Sequence, residues 1–477
     1  MDFKHMDHKF FLWLLPLLLI LSYSCSRSEH TPGNDIGNPP DAETRSGISV
    51  TVFAGSTYNG NPGNMDFNIT DFRIYLFNSS TGLLETMFGM DSNGTDVGPV
   101  SSLLPAADGS VTISTEEALS GRKDMVVLAN LEIFGTSGSQ GGTDRPEWLT
   151  YPEVTLGVTP ISDFKAAVCT IPGGVSTLFP DDAATVPMSS IRQVTLQPDT
   201  ENILEISLER LISRVSLALG ENLNDMSPYG YIEKTPSYKA LSVANEFYLL
   251  PRTGTDGIWT TPLYSLPDHT GKYSDAPDYN DSQPYRTYTS YVTENRVAVN
   301  TPENTTGLLV KAAFRPIVLY DGNGQNPWRW DESSRSYFDL DGNRHSLPDE
   351  SVDGQTYRTY WRLWRKDASE ASVNYYYEDP ALKADPFFDT ELWESVPYRN
   401  FECWYRIFLE DQSQTPATSV QRNRWFDVKI TSCSGAGYPT EDGAIDSPSV
   451  PDPDSNIEIG ITFKVRDWED NDIPVEL

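Results

Sequence analysis

Four oxygen-bearing side chains in the second half of the chain have the spacing of a calcium-binding loop. Asp339, Asp341, Asn343 and Glu350 match positions 1, 3, 5 and 12 of the EF-hand pattern. The sixth position of such a loop is normally Gly, because the backbone turns sharply there, and this chain has Arg344. No helical pattern flanks the loop. The sequence therefore predicts a turn with solvated carboxylates, and we expect no metal site here.

Residues suited to acid–base or nucleophilic catalysis are few. Once a signal peptide is removed, the remaining histidines are His30, His269 and His345, each in a polar context. The sequence contains no Gly-x-Ser-x-Gly elbow, no His-Glu-x-x-His and no Gly-x-Gly-x-x-Gly after a strand pattern. A Ser-His-Asp group assembled from distant segments stays open, since its members meet only in space. We expect a non-enzymatic protein without a cofactor.

Four tryptophans, Trp328, Trp330, Trp361 and Trp364, lie near one another in sequence. They could form a platform on which sugar rings stack. The alternative is that they fill a core or cap a sheet edge, which is the more frequent role of large aromatic side chains.

The N-terminus has the pattern of a lipoprotein signal. A basic head at residues 4–9 precedes an apolar run at residues 10–21, which is shorter than the roughly 20 residues that cross a bilayer. Cys25 follows, with the small residue Ser24 before it. The sequence predicts a signal peptide at residues 1–24 and lipidation of Cys25. An ordinary signal with a chance cysteine is the alternative.

The charge of the chain argues against nucleic acid as a partner. The formal net charge is -33 and the sequence pI is about 4.4, whereas phosphate contacts need Lys and Arg. A solvated acidic surface is the default interpretation. Beyond Cys25, the odd number of cysteines allows at most one disulfide. Cys403 and Cys433 are the favoured pair because they lie on two predicted neighbouring strands; buried free thiols, with Cys169 a third, are the alternative.

Short strand patterns recur along the chain between frequent turn signals. Ile48, Val50 and Val52 alternate with polar Ser49 and Thr51, the two-residue period of a half-buried strand. Further strands are predicted at residues 72–77, 125–128, 204–208, 247–250, 308–314, 315–320, 403–409, 425–430 and 457–465. Residues 210–219 continue with a shift of phase, as a β-bulge would produce, and residues 357–366 fit a strand or a short helix. With 33 Gly and 34 Pro and no long helical repeat, the pattern predicts an all-β protein of the β-sandwich class.

Four motifs occur in a characteristic order. The first is residues 72–77 (FRIYLF) with 125–130 (MVVLAN), and the second is an Arg-x-x-x-Arg-Val segment at 208–215 (LERLISRV). The third is the Arg-Asn-aromatic segment and Gly-x-Gly turn at 420–437, and the fourth is the ending 457–468 (IEIGITFKVRDW). In this order, behind a lipobox, they resemble the fimbrillins, the lipoprotein-derived pilins of type V pili in Gram-negative gut and oral anaerobes.

The resemblance implies two transthyretin-like β-sandwich domains in tandem, residues 46–222 and 223–477, after the signal peptide and a flexible tether at 25–45. It also implies polymerisation by strand exchange. In that scheme a protease removes the lipid, the tether and the first strand, and a neighbour's C-terminal segment fills the groove. Main-chain hydrogen bonds and alternate apolar side chains would hold the donated segment.

Particular residues match these roles. Ile48, Val50 and Val52 would form the removable first strand. The donor strand and tail comprise eight apolar residues: Ile457, Ile459, Ile461, Phe463, Val465, Ile473, Val475 and Leu477. Ordinary strands within one molecule are the alternative, since alternation indicates burial without naming the partner.

One departure from the family pattern affects assembly. In fimbrillins the cut follows an Arg or Lys placed after the first strand, whereas here Arg45 precedes Ile48 and the next basic residue is Arg73. Cleavage at Arg45 would remove lipid and tether and leave the first strand in place. A shaft subunit and a lipid-retaining anchor are therefore both open.

We expect an adhesion-supporting fimbrial protein at the surface of the outer membrane, with other fimbrial subunits as partners. Host or bacterial surface glycans or proteins are further candidate partners. A non-polymerising lipoprotein that binds glycans is the remaining alternative.

Overall fold

The computed structural model of the chain describes residues 44–54, 69–106, 109–132, 151–170, 186–220, 229–255, 258–262, 274–275, 289–296, 301, 303–367, 370–383, 389–446 and 459–467. Among these residues, no helix is long and apolar enough to cross a membrane.

The first half of the described chain consists of strands and one short helix. They are β1 (Arg45–Ala54), β2 (Phe72–Asn78), β3 (Leu84–Met90), β4 (Asp96–Val97), β5 (Ser102–Pro105), β6 (Val111–Leu119), β7 (Gly121–Ala129), α1 (Ile161–Ala166), β8 (Val168–Thr170), β9 (Met188–Leu196) and β10 (Glu201–Arg210).

Nine of these strands form one sheet that is folded into two layers. Its order is β4-β3-β2-β7-β9-β10-β1-β6-β5. Strands β9 and β10 meet through two residue pairs at the end of β10, Glu209 with Ser189 and Arg210 with Met188. Apolar side chains from both sides of this junction belong to one buried cluster. The sheet therefore closes on itself as a sandwich around that cluster.

Strand β2 is buried on both faces. Phe72 and Ile74 lie in the sandwich core, whereas Tyr75 and Phe77 face the other way into a second buried cluster. Phe164 of α1 covers this outer face, with ring centroids 4.8 Å from Tyr75 and 5.3 Å from Phe77. Because both faces of β2 are covered, its sequence is a continuous apolar run and does not alternate between apolar and polar residues.

The second half contains the remaining strands and two short helical segments. They are β11 (Ile212–Leu219), β12 (Gly230–Leu241), β13 (Glu246–Tyr248), β14 (Ser274–Asp275), β15 (Thr289–Thr293), β16 (Gly307–Pro316), β17 (Val318–Leu319), β18 (Trp328–Asp331), β19 (Ser336–Phe338), β20 (Arg344–His345), β21 (Asp349–Val352), β22 (Gln355–Arg365), β23 (Ala371–Tyr376), a 3₁₀ turn (Pro380–Lys383), β24 (Trp393–Arg399), β25 (Glu402–Phe408), β26 (Arg424–Cys433), α2 (Glu441–Ile445) and β27 (Ile459–Asp467).

Two four-stranded sheets form the layers of the second half. Their orders are β15-β11-β26-β27 and β14-β12-β16-β25. Side chains of both sheets, including Val215, Phe426, Val310 and Ile407, share one buried cluster. The predicted all-β fold is confirmed, and residues 357–366 lie mostly in a strand, β22.

The phase shift at residues 210–219 has a different cause from the predicted bulge. Strand β10 ends at Arg210 and β11 begins at Ile212, and the two strands belong to different sheets. The chain crosses from one sheet to the other at Leu211, so the buried side of the chain changes there. The bulge interpretation is wrong.

Strands β16 and β25 are direct neighbours although an insertion at residues 317–401 separates them in sequence. This insertion contains a sheet in the order β17-β18-β19-β20 and a second one in which β22 pairs with β21, β23 and β24. The predicted domain border at 222–223 falls between residues 221 and 228, outside the described residues.

Cys169, Cys403 and Cys433 are buried free thiols. Cys403 lies in β25 and Cys433 ends β26, and these strands belong to different sheets. The prediction that they occupy neighbouring strands is wrong, because alternation identifies a strand without identifying its neighbour. Cys433 Sγ instead lies 3.2 Å from the Tyr405 hydroxyl.

Candidate functional site

The apolar face of β1 completes the core of the first sandwich. Ile48, Val50 and Val52 are at most 1% exposed and belong to the buried cluster between the two layers. Ser49 and Thr51, which alternate with them, are half-buried on the opposite face. A fully buried side chain of this size contributes about 1.5–3 kcal/mol. The sandwich therefore depends on these three side chains, or on others that replace them.

The backbone of β1 is paired along both edges. Residues 47–54 pair in parallel with residues 201–208 of β10, and residues 45–52 pair antiparallel with residues 111–119 of β6. We call the space between β6 and β10 the β1 slot. Because both neighbours bond to β1, an empty slot would present two unpaired backbone edges beside an apolar groove.

A polar network fixes the start of β1. Asn202 Nδ2 donates hydrogen bonds to Ser46 Oγ at 2.7 Å and to the Gly47 carbonyl at 3.0 Å. Ser46 Oγ donates to the Gln197 carbonyl at 2.6 Å. Sequence reasoning missed this network. The turn around residues 198–200 gives a local signal, but nothing in the sequence indicates a partner more than 150 residues away.

Arg45, the predicted cleavage residue, lies at the entrance to the slot. Its side chain is 74% exposed, and its guanidinium is 3.7 Å from the Glu117 carboxylate. The next residue, Ser46, is buried. A cut after Arg45 would therefore separate the preceding chain from a β1 that still carries Ile48 and the other two core side chains.

Arg73, the next basic residue along the chain, is held inside the sheet. Its Nη1 donates to the carbonyls of Phe72 at 3.0 Å and Met90 at 2.5 Å, and its Nη2 forms an ion pair with Glu132. Its Cζ lies 4.5 Å from the ring centroid of Tyr151. Strand β2 is also paired with both β3 and β7. A protease would reach this arginine only after β2 had unfolded.

The predicted donor strand lies, in part, in the second half of the chain as β27. Residues 459–467, which include Ile459, Ile461, Phe463 and Val465, pair antiparallel with residues 424–433 of β26. Among the described strands, β27 stands at one edge of the sheet β15-β11-β26-β27. The structure thus places this strand and β1 in different sheets. Five of the predicted positions lie outside the described residues: Cys25, Ile457, Ile473, Val475 and Leu477.

The acidic loop forms the turn of a hairpin between β19 and β20. Asp339 Oδ1 accepts from the backbone N–H groups of Asp341 at 3.0 Å and Asn343 at 2.8 Å, and its Oδ2 lies 2.9 Å from His345 Nε2. The hydrogen bond from His345 contributes most to holding the pKa of Asp339 well below its usual range. Glu350 is engaged elsewhere, by Arg399 at 3.1 Å.

The four tryptophans do not share one platform. Trp364 is buried, and its Nε1 donates to the Tyr398 hydroxyl at 2.8 Å. Trp361, three residues earlier in the same strand, faces the other way. Trp328 stacks on Tyr377 with ring centroids 3.6 Å apart. For Trp364 the core interpretation is confirmed, and a sugar platform built from all four rings is wrong.

The second and third sequence motifs meet inside the second half. Strands β11 and β26 pair in parallel. Just before β26, the Arg422 guanidinium donates to both carboxylate oxygens of Glu294, at 2.7 and 2.6 Å, and to the Tyr248 carbonyl at 2.6 Å. Both charged side chains are 4% exposed. The motif residues are therefore structural, since they join strands of the second sandwich.

The fold and the β1 slot define an all-β protein whose first sandwich is completed by an N-terminal strand. Residues 397–473 match the family model described as "Major fimbrial subunit protein type IV, Fimbrillin, C-terminal". This range covers β25, β26, α2 and β27. The resemblance to fimbrillins that the motifs indicated is confirmed over this C-terminal region. No curated protein matches the chain in sequence.

Three solved structures of bacterial proteins align with most of this chain. A fimbrilin of Porphyromonas gingivalis is 14% identical, with 89% of this chain and 98% of that chain covered and a TM-score of 0.42. A candidate cell adhesion protein of Parabacteroides distasonis is 12% identical, with 89% and 98% covered and a TM-score of 0.43. A C-terminally truncated tip fimbrial protein of Porphyromonas gingivalis is 11% identical, with 88% and 100% covered and a TM-score of 0.34. Similarity at this level does not define a function.

Proposed function

We propose that this chain is a structural subunit of a cell-surface fimbria that supports adhesion. The match of residues 397–473 to the fimbrillin family supports this class of function. Export through the signal at residues 1–24 and lipidation of Cys25 would hold the protein at the outer membrane. Neighbouring fimbrial subunits, of the same or a related kind, are its partners.

The observation that carries the proposal is the β1 slot. One strand fills it, both of its edges are paired, and Ile48, Val50 and Val52 alternate into the core. A strand from another subunit could make the same backbone bonds and insert its own alternate apolar side chains, which is β-augmentation. Strand exchange of this kind is the proposed mode of assembly.

The position of the basic residues favours a subunit whose own slot stays closed. Arg45 precedes the core residues of β1, and Arg73 is buried within β2. Cleavage at the accessible arginine leaves β1 in place. Such a subunit donates its C-terminal segment and accepts none, so it stands at one end of the fimbria. Together with Cys25, this favours the lipid-retaining anchor over the shaft subunit.

Two measurements on cells test the proposal. The first is the N-terminal residue of the protein recovered from the cell surface. A lipidated Cys25 is expected for an anchor, a start at Ser46 would mean a trimmed subunit that is still closed, and a start beyond Ala54 would contradict the anchor position.

The second measurement tests strand donation through the tail. Changing Ile473, Val475 and Leu477 together to Ser should abolish assembly into detergent-resistant oligomers. The matched control changes the interleaved polar residues Asp472 and Glu476 to Ser and should assemble normally. Equal assembly of both variants would contradict donation by this segment.

A further inference from the structure

A cavity of about 380 Å³ opens between the end of β16 and the insertion at residues 317–401. This volume lies in the range of small-molecule sites, about 300–1,000 Å³. Four arginines, Arg315, Arg335, Arg344 and Arg358, line it together with His345, and its lining includes no carboxylate. Although the chain has a formal net charge of -33, these four arginines concentrate positive charge around one concavity. We call it the arginine cavity.

Arg315 is the buried member of this cluster. It is 7% exposed, and its guanidinium lies between two rings, with Cζ 4.2 Å from the Trp330 centroid and 4.1 Å from the Phe401 centroid. Its Nη2 donates to Glu233 at 2.6 Å. Its Nε–H is also enclosed and has no acceptor among the described residues. The guanidinium is thus held rigidly and keeps one unused donor.

The backbone under Phe401 is strained. Asn400 and Phe401 form the two-residue turn between β24 and β25, with φ of 52° and 67°. Turns of this shape favour Asn and Gly, and a bulky aromatic residue at positive φ is uncommon. Phe401 is nevertheless 6% exposed and packs on Arg315. Such strain is often found at ligand sites, where the surrounding structure holds it.

The other arginines come from separate segments and meet at the rim. Arg335 follows β18, Arg344 begins β20 and Arg358 lies in β22, and all three are exposed. Arg344 Nε donates to Ser336 Oγ at 2.8 Å, a contact that uses neither of its two Nη groups. Like charges brought together repel one another, and a bound anion would relieve that repulsion.

Nearby carboxylates are engaged by other donors. Glu332 accepts from Trp330 Nε1 at 2.8 Å and from the Tyr231 hydroxyl at 3.1 Å. Asp339 is occupied by the hairpin turn and by His345. These carboxylates reduce the positive electrostatic potential near the cavity, but they do not line it.

We propose that the arginine cavity binds a saccharide that carries a carboxylate or sulfate group. Arginine forks match the geometry of these anions, and the aromatic rings of Trp330, Tyr337 and Phe401 supply apolar lining for a sugar ring. The choice of a saccharide rests on the cell-surface position proposed above, since acidic glycans are what an exposed adhesive protein meets. It does not depend on strand exchange.

Calorimetric titration of the purified mature protein tests this proposal. The probes are sialyllactose, glucuronic acid and galactose 6-sulfate, with galactose as the neutral comparison. The acidic probes should bind and galactose should not. The double variant Arg344→Gln/Arg358→Gln should raise Kd by at least about ten-fold, because charge-assisted hydrogen bonds are lost. Both side chains are exposed, so its Tm should equal that of the parent protein.

Arg329→Gln is the matched control. Arg329 is exposed on β18 and does not line the cavity, although its neighbour Trp330 does. It should bind the acidic probes as the parent protein does. The proposal is overturned if no acidic saccharide binds, if galactose binds equally well, if the double variant binds like Arg329→Gln, or if a peptide C-terminal carboxylate binds while the saccharides do not.

The outcome is independent of the assembly assay. The variant with Ser at positions 473, 475 and 477 should bind the acidic probes normally, because none of these three residues lines the cavity. Loss of assembly with retained binding, or the reverse, therefore shows which of the two proposals fails.

Discussion

Arg214 lies over the indole of Trp425, with its Cζ 4.5 Å from the ring centroid. The two residues are paired across β11 and β26, which run in parallel although about 210 residues separate them in sequence. Both are almost completely buried, at 3% and 1% exposure. A cation over an aromatic face is worth more when both are removed from water. The contact joins the motif at residues 208–215 to the motif at residues 420–437. Each motif therefore needs the other to form this buried pair.

The buried ion pair of Arg422 with Glu294, just before β26, should be a major determinant of stability. Replacing Glu294 by Gln leaves the Arg422 charge enclosed without its counter-ion, and the free energy of unfolding should fall by about 3–5 kcal/mol. Denaturant unfolding followed by tryptophan fluorescence would measure the change.

A surface pair provides the control for that substitution. Lys311 and Glu402 are 2.9 Å apart with side chains 34% and 45% exposed, so Glu402→Gln should cost less than about 1 kcal/mol. Equal effects of the two substitutions would contradict the structural role assigned to Arg422.

The two faces of β1 should differ in how strongly a new charge destabilises the protein. Val50→Asp places a carboxylate in the closed core, so the free energy of unfolding should fall by about 4 kcal/mol or more. Thr51→Asp adds the same group on the outer face, where it loses the 2.9 Å contact with Thr112 and should cost about 1 kcal/mol. Thermal unfolding distinguishes the two, and a Thr51→Asp variant as unstable as Val50→Asp would show that β1 sits in another register.

Limited trypsin digestion should give an N-terminal cut at Arg45 and none at Arg73. The reason is accessibility, since the Arg45 side chain is 74% exposed and Arg73 is buried between paired strands. Intact-mass analysis should find a product that begins at Ser46. Its Tm should match that of the uncut protein because β1 is retained.

Arg45→Gln should remove this product and leave other surface cuts unchanged. A tryptic product that begins at Ile74 under native conditions would mean that β2 opens readily, contrary to its pairing on both sides.

The three thiols should be unreactive in the native protein. Burial raises the pKa of Cys169 to about 12, so at pH 8 its reactive thiolate is scarce in the folded state. Titration with an aromatic disulfide reagent should detect none of Cys169, Cys403 and Cys433 before denaturation and all three afterwards. A Cys403–Cys433 disulfide found by mass spectrometry would contradict this expectation.

Local patterns in the sequence predicted individual strands well. The alternation around Val50 identifies β1 because one of its faces is buried and the other is not. The apolar run at residues 72–77 identifies β2. Because both faces of this strand are apolar, the sequence does not show which face packs in the sandwich core and which packs in the second cluster. The same limit explains the wrong neighbour assigned to Cys403. Pairing between strands depends on long-range packing, and that information is not local.

The arginine cavity could not be predicted from the sequence, because its lining residues come from segments that are far apart in the chain. Arg315 lies near the end of β16, whereas Phe401 lies in a turn more than 80 residues later. Neither position carries a local signal that identifies the other. The turn at Asp339 could be predicted because the hydrogen bonds of this side chain are all within six residues. Contacts within one turn are predictable from sequence, whereas contacts between segments require the fold.

The β1 slot has a geometric consequence for the polarity of any guest strand. Its two walls, β6 and β10, run in opposite directions, because one is antiparallel and the other parallel to β1. A guest strand could lie in the slot in either chain direction. In both cases it would be parallel to one of the two neighbouring strands and antiparallel to the other. Backbone bonding alone therefore favours neither direction. Orientation would be chosen by the spacing of large and small side chains along the guest, so the direction in which a chain of subunits grows would be encoded in side-chain shape.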